Sequence, residues 1–166
     1  LQGKYLAVFD ADQSPLPFFL NRMVPLLEAD PKLAFVQTPQ FYANMNSSRV
    51  ASAAGCQQAI FYEYICEGKA SSGTAFCCGT NVVFRREALQ AVGGLDETSV
   101  TEDFATSVKL HMAGWKSLYY GETYVMGLGP TTLPAYFRQQ FRWARGTLGV
   151  GLRLAKQLFT RPHSLG

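Results

Sequence analysis

Apolar residues fall in short runs along the chain, and each run is closed by a turn former or a charge. Residues 4–9 (KYLAVF) lead straight into Asp10, which predicts a buried strand with an acidic C-terminal end. Ser14-Pro15 predicts the opening of a helix near residues 16–28, with Pro25 kinking or shortening it. Residues 33–37 (LAFVQ) predict a second strand. Residues 49–67 have the length and composition of a helix, ended by the Gly68–Gly73 stretch. Residues 81–84 (NVVF) predict a strand and residues 86–91 a short helix closed by Gly93-Gly94. Thr101 stands as the N-cap of a helix from Glu102 to about Met112, with two acids in its first turn and Gly114 past its end. Residues 115–120 and 123–126 are strand-like, and residues 132–159 mostly helical. Strands alternating with helices predict an α/β fold. A nucleotide-binding α/β domain uses more strands than this, so a piece of a larger domain is expected.

With 166 residues, 48% of them apolar, the chain can bury one core, and its 16% charge is below that of an ordinary soluble domain. No stretch approaches the roughly 20 consecutive apolar residues of a membrane span. The four cysteines, Cys56, Cys66, Cys77 and Cys78, have no C-x-x-C or zinc spacing, and read as reduced thiols of a cytosolic chain. The net charge of +3 hides an asymmetry. All twelve acids lie between Asp10 and Glu122, while Arg138, Arg142, Arg145, Arg153, Lys156 and Arg161 follow with no acid among them. Such a tail suits an anionic partner: phosphates, a lipid surface or nucleic acid. No RNP, helix-turn-helix or zinc signature supports the last, and no nucleic-acid partner is expected.

Three clusters carry candidate chemistry. In an extended chain, Asp10 and Asp12 of Asp10-Ala11-Asp12 would point the same way, roughly 6.5–7 Å apart, and could share Mg2+ or Mn2+. An ordinary acidic turn before Ser-Pro would carry the same letters. Glu102 and Asp103 suit a helix N-terminus, and either could also serve as a general base. The helix dipole lowers such a pKa, so a base working near neutrality would need burial or neighbouring carboxylates. Gln139, Arg142 and Trp143 are spaced i, i+3, i+4 and share a helix face. An amide and a guanidinium there could clamp a diphosphate beside an indole surface. Taken alone, an amphipathic helix with a core Trp and a solvated Arg is the better fit to these letters.

Smaller signals surround these. In Phe76-Cys77-Cys78-Gly79-Thr80, Gly79 permits close backbone approach, and Cys78 lines a pocket or fills a tight turn. Gln37-Thr38-Pro39-Gln40 follows a strand end and could face the same cleft. His111 reads as structural or surface, and His163 carries no signal. From Gly146 onward Leu148, Leu152 and Phe159 interleave with Arg153 and Lys156. That is a basic amphipathic helix, suited to a bilayer interface or to packing on another domain.

Taken in order, DAD after a strand, QTPQ, FCCGT, TED at a helix start and QxxRW resemble the processive family-two glycosyltransferases. The resemblance is to the GT-A (Rossmann-like) catalytic domain of bacterial cellulose synthases, and it runs from about Lys4 to about Leu148. It implies the C-terminal part of a GT-A domain over residues 1–147 and a basic amphipathic interface tail over 148–166. It implies that Asp10 and Asp12 bind Mg2+ or Mn2+, with Asp10 also at the diphosphate of the UDP-sugar donor. Asp103, beside Glu102, would be the base that activates the acceptor hydroxyl. Gln139, Arg142 and Trp143 would hold the pyrophosphate, with Trp143 stacking on the acceptor. Phe76, Cys78, Gly79 and Thr80 would lie near the end of the glycan acceptor. The implied reaction is inverting transfer of glucose from UDP-glucose to a growing β-glucan such as cellulose. It would take place at the cytoplasmic face of the inner (plasma) membrane, within a larger integral membrane protein. A chitin- or hyaluronan-type synthase and a glycolipid glucosyltransferase share the arrangement. A catalytically silent binding module is the alternative from another class. Gln13 stands where some cellulose synthases carry His, which leaves the sugar open. The family's first aspartate motif and its transmembrane helices lie outside this stretch, so the piece alone is expected to be inactive.

Overall fold

The computed structural model describes the backbone of residues 2–160 and the side chains of residues 2–155. Four strands form the main sheet: β1 (Tyr5–Val8), β3 (Leu33–Gln37), β5 (Val82–Arg85) and β6 (Lys116–Tyr119), in the order β1-β5-β3-β6. β5 runs antiparallel to both neighbours, and β3 and β6 are parallel. A small second sheet joins β2 (Ser14–Pro15), β7 (Val125–Gly127) and β4 (Phe41–Tyr42), in that order. The α/β fold is therefore present, with a mixed sheet.

Alternation along β3 and β5 builds a core on both faces. Val36 and Val83 point to α1 (Phe19–Ala29), where Phe19, Met23 and Leu27 are buried at i, i+4, i+8. Phe35 and Phe84 point to the other face and meet Ala88 and Leu89 of α4 (Arg86–Ala91) and Leu110 of α5 (Glu102–Met112). Arg85, itself buried, donates to the carbonyls of Leu27, Asp30 and Leu33, and so satisfies the end of α1 from the sheet. His111 is structural, as expected: Nε2 pairs with Ser117 Oγ at 2.9 Å.

Several expectations need correction. Ser14-Pro15 is a strand, and the helix begins only at Phe19. Pro25 does not interrupt α1, because both it and Asn21, the carbonyl it leaves unpaired, face solvent while Met23 and Leu27 anchor the buried side. β1 is half-buried and paired on one edge only among the described residues. Asn81 precedes β5 in a left-handed conformation (φ 57°), with its amide bonded to Pro39 and Thr80. Thr101 precedes α5 but its hydroxyl makes no capping bond; it lies toward Ser99 instead.

The long helix over residues 49–67 also has unforeseen structure. α2 (Arg49–Ile60) is capped by Ser48, whose Oγ accepts from Ala51 N at 3.0 Å. It then passes through a π-helical turn, Phe61–Cys66, before α3 (Glu67–Ala70). Such turns widen the helix locally and gather at functional sites. The last element, α6 (Leu133–Thr160), runs without a break across residues 147–148. Leu133, Phe137, Phe141, Leu148 and Leu152 form an exposed apolar stripe on it. The side chains of Lys156 and Phe159, and all of Arg161 and His163, lie outside the described residues. No described helix is long and apolar enough to cross a membrane.

Candidate active site

Four of the five motifs, all but QxxRW, are tied to one another by named contacts. Gln37, fully buried at the end of β3, donates Nε2 to the Thr38 and Thr80 carbonyls at 2.8 Å each. Its Oε1 accepts from Cys78 N at 2.9 Å. Thr80 Oγ1 accepts from Asp10 N at 3.0 Å. Gly79, at φ +81°, has the Asp103 carboxylate 3.1 Å from where a Cβ would stand. Ser107 Oγ donates to the Asp103 carbonyl and accepts from Cys77 N. The FCCGT loop is thus the hub on which the DAD and TED segments rest. Gly79 and Thr80 support the acids and do not line the cavity.

Asp10-Ala11-Asp12 is not extended. Gln13 N donates to the Asp10 carbonyl at 3.0 Å and closes a β-turn just beyond β1. Both residues are exposed overall at the turn, but the Asp10 carboxyl group itself is partly screened from water. The Asp10 carboxyl is pushed above its ordinary range by burial of its acid group and by the Asp12 charge, while Arg142 pulls it down. Two hard oxygen ligands that repel each other at one turn fit a divalent cation. No group of three His, Cys, Asp or Glu residues gathers among the described residues, so Asp10 and Asp12 would supply only part of its shell.

Asp103 sits differently. Burial raises its carboxyl to about 6, assisted by the neighbouring Glu102 and Asp10 charges and opposed by the bond it accepts from Phe104 N. The helix terminus is therefore outweighed by desolvation. Glu102 beside it is exposed. The Asp103 carboxyl faces a cavity of about 430 Å3 walled by Trp143, Phe61, Tyr62, Phe76, Cys78 and Phe104. Burial holds the Cys77 thiol well above its ordinary pKa, and the neighbouring Cys66 thiol together with burial does the same for Cys78, so both are neutral wall groups.

The QxxRW face divides its work. Trp143 is half-buried against the cavity, Arg142 is exposed and acts on Asp10, and Gln139 lies by the Tyr42 phenol. Sequence reasoning missed Phe61, Phe104, Tyr42 and Gln58. The aromatic residues looked like core, and nothing in the letters announces a π-helical turn. It also missed Gln13 as a packed residue: its amide is buried with no partner among the described residues, against the space that a Cβ on Gly127 would take.

The glycosyl transferase family group 2 model matches residues 5–165. The UDP-forming cellulose synthase catalytic subunit of Dictyostelium discoideum is 40% identical over 149 residues, covering 89% of this chain and 14% of the relative. The UDP-forming cellulose synthase catalytic subunit of Pseudomonas fluorescens (strain SBW25) is 35% identical over 173 residues, covering 94% of this chain and 23% of the relative. The chain thus spans less than a quarter of either relative. In fold it resembles the mannosyltransferase PcManGT from Pyrobaculum calidifontis, solved in complex with GDP-Man and Mn2+. That likeness has a TM-score of 0.65 at 16% identity and covers 94% of this chain and 40% of that one.

Proposed function

The chain belongs to glycosyl transferase family group 2, and from that premise we propose that it is the acceptor-side part of a glucosyltransferase domain that extends a β-glucan from UDP-glucose. The single observation that carries this reading is a juxtaposition. A carboxyl raised to about 6 shares an aromatic-walled cavity with Trp143, while Asp10 and Arg142 interact alongside. That is a base and a sugar-stacking surface next to a charged phosphate site.

Asp103 takes the proton of the acceptor hydroxyl as it attacks the anomeric carbon. A general base so placed contributes about 10²–10⁴-fold in rate. Trp143 and the Phe76–Cys78 wall hold the terminal sugar of the acceptor and exclude water. Arg142 and Gln139 grip the diphosphate from α6, the guanidinium through charge-assisted bonds. Asp10 and Asp12 would hold Mg2+ or Mn2+, which supplies positive charge to the departing UDP. Attack from the side opposite the diphosphate inverts the anomeric centre and gives a β-linkage from an α-linked donor. The exposed stripe from Leu133 to Leu152, flanked by Arg138 and Arg145, suits the cytoplasmic interface of a membrane bearing anionic lipid.

The test uses the full-length enzyme carrying this domain, in membranes, offered UDP-glucose, UDP-N-acetylglucosamine or GDP-mannose with Mn2+ or EDTA. Metal-dependent release of UDP from UDP-glucose, with a β-linked glucan as product, is expected. Preference for another nucleotide sugar corrects the donor, transfer undiminished by EDTA removes the metal, and an α-linked product removes the inverting geometry.

A further inference from the structure

Gln13 follows the two acids and closes their turn, its N–H donating to the Asp10 carbonyl at 3.0 Å. The chain then pairs with β7, Ser14 opposite Met126 and Pro15 opposite Val125. Carried back one residue, that antiparallel register sets Gln13 opposite Gly127. On its other edge Gly127 pairs with Tyr42 of β4.

The Gln13 side chain is packed where a residue at an exposed turn would ordinarily reach into water. Gln13 is 8% exposed. A Cβ on Gly127 would stand 2.0 Å from Gln13 Nε2, 2.5 Å from Cδ and 2.6 Å from Oε1. The amide as a whole therefore fills the space of a side chain at 127. Gly127 lies outside the left-handed region, so it is glycine for room and not for backbone conformation. Neither amide atom has a hydrogen-bond partner among the described residues. Shape, and not a bond, holds the amide where it is. At the other end of the turn, Asp10 N donates to Thr80 Oγ1 at 3.0 Å. The turn is thus pinned at both corners, with Asp12 exposed between them.

We propose that Gln13 is a positioning residue for the acid turn: laid on Gly127, its side chain fixes the last corner of the turn, so that Asp12 meets Asp10 at a single divalent cation. This rests on the reading of Asp10 and Asp12 as ligands of Mg2+ or Mn2+. Two carboxylates on one turn repel each other, and a loose turn relieves the repulsion by letting them part. A side chain wedged against a neighbouring strand resists that. A pair already held together loses less freedom when the ion arrives. The seat has a second use. β7 runs on to α6, which carries Arg142, and Asn44 holds the connection at Gly129. Its Nδ2 donates to the Gly129 carbonyl at 2.9 Å, and its Oδ1 accepts from Gly129 N at 2.7 Å. The acids and the guanidinium are so referenced to one strand. Gln13 touches neither ion nor donor in this scheme.

Calorimetry of UDP binding to the full-length enzyme, in Mn2+ and in EDTA, tests it. Gln13→Ala should weaken UDP about tenfold in Mn2+, the low end of what losing an outer-shell support costs, and should leave affinity in EDTA unchanged. Gly127→Ala, which takes away the seat, should do the same, and in the Gln13→Ala background it should cost nothing further. Gln13→Met keeps the length and removes the polar atoms. Because the amide makes no bond, this variant should keep the wild-type Mn2+ response and unfold at a higher temperature. A wild-type Mn2+ response in Gln13→Ala overturns the positioning role, since a merely structural side chain would lower the unfolding temperature and leave the ion alone. Additive losses from Gly127→Ala and Gln13→Ala overturn it as well. So does a lost Mn2+ response in Gln13→Met, which would have the amide acting through its polar atoms. If the wild-type enzyme binds UDP equally in Mn2+ and EDTA, the metal reading falls and takes the positioning role with it. That outcome is read on the wild type alone, and so is distinct from a failure at Gln13.

Discussion

Two acidic centres share this cleft and are built from the same side-chain chemistry, yet their surroundings separate them. Asp10 and Asp12 stand exposed on a β-turn, with Arg142 offsetting the charge they place on each other. Asp103 is sunk beside Trp143, Phe76 and Phe104, and desolvation raises it to about 6. In the proposed function, ions would enter and leave at the first, more open centre, and one proton would move at the second. The carboxylates at the turn would then serve as charge for phosphate and metal, and the one in the aromatic wall as a base near neutrality.

Separating the two centres by mutation gives the largest expected effect. Asp103→Asn keeps shape and removes the proton acceptor. Glycosyl transfer in the full-length enzyme should fall by about 10²–10⁴-fold, while UDP affinity with Mn2+, read by calorimetry, stays within twofold. Loss of UDP binding together with transfer would mean that the two centres are one. Asp10→Ala should do the reverse. UDP affinity in Mn2+ should drop by at least the roughly 10–100-fold that even outer-shell metal partners cost, and wild-type and variant should bind UDP alike in EDTA. Identical wild-type affinities in Mn2+ and EDTA would remove the metal from the first centre.

Acidity sharpens the contrast further. Transfer needs Asp103 ionised, so kcat should rise about tenfold per pH unit below its pKa and level off above about 6. The same shift has a stability sign. In the fold the carboxyl holds its proton up to about 6, against 3.8 ordinarily, so its favourable contribution is complete below 3.8 and lost as pH rises through about 6. Asp103→Asn should therefore unfold later than wild type at pH 7.5, by roughly 1–3 kcal/mol, and together with it at pH 4. Thermal unfolding followed across that range checks the sign, and equal stabilities at pH 7.5 would place Asp103 in water.

The sequence carried the strands and most helices, because β3, β5 and α5 have apolar periods that their packing agrees with. It also singled out Asp103 and Trp143, which line one cavity, and Asp10, which lies near enough for its charge to act on Asp103. What escaped it was geometry that depends on distant partners. Asp10-Ala11-Asp12 reads as extended from its neighbours in sequence, but Thr80, seventy residues on, holds Asp10 N at a turn. Thr101 has the letters of an N-cap, yet its side chain is turned aside where α6 crosses it. Phe61 lies on the π-helical turn after α2 and lines the cavity, and Tyr42 is held by Gln58 and by its close packing on Gly129. Local pattern specifies elements; tertiary contact decides how their ends are aimed.

The smallest effect is expected at the contact that spaces the two sides of the cavity. Gly146 is buried on α6, and a Cβ there would stand 2.3 Å from Thr101 Cγ2. Helix α6 therefore meets the start of α5 at backbone distance, three residues after Trp143 and two before Asp103. Thr101 is β-branched and stiff at χ1, so it cannot swing clear. Gly146→Ala must push the helices apart, at a cost of about 1–3 kcal/mol, partly offset by the roughly 1 kcal/mol that Ala gains over Gly in a helix. The gap between Trp143 and Asp103 should open, and transfer should fall severalfold while UDP affinity at the exposed centre is unchanged. Thr101→Ser removes the nearest atom, the methyl, and no capping bond, while the hydroxyl at 2.8 Å remains, so the double variant should recover transfer in part. Wild-type turnover in Gly146→Ala would show that acceptor and base tolerate a looser cavity than the walls suggest. Recovery in the double variant would show instead that the distance between the indole and the base is set by one glycine.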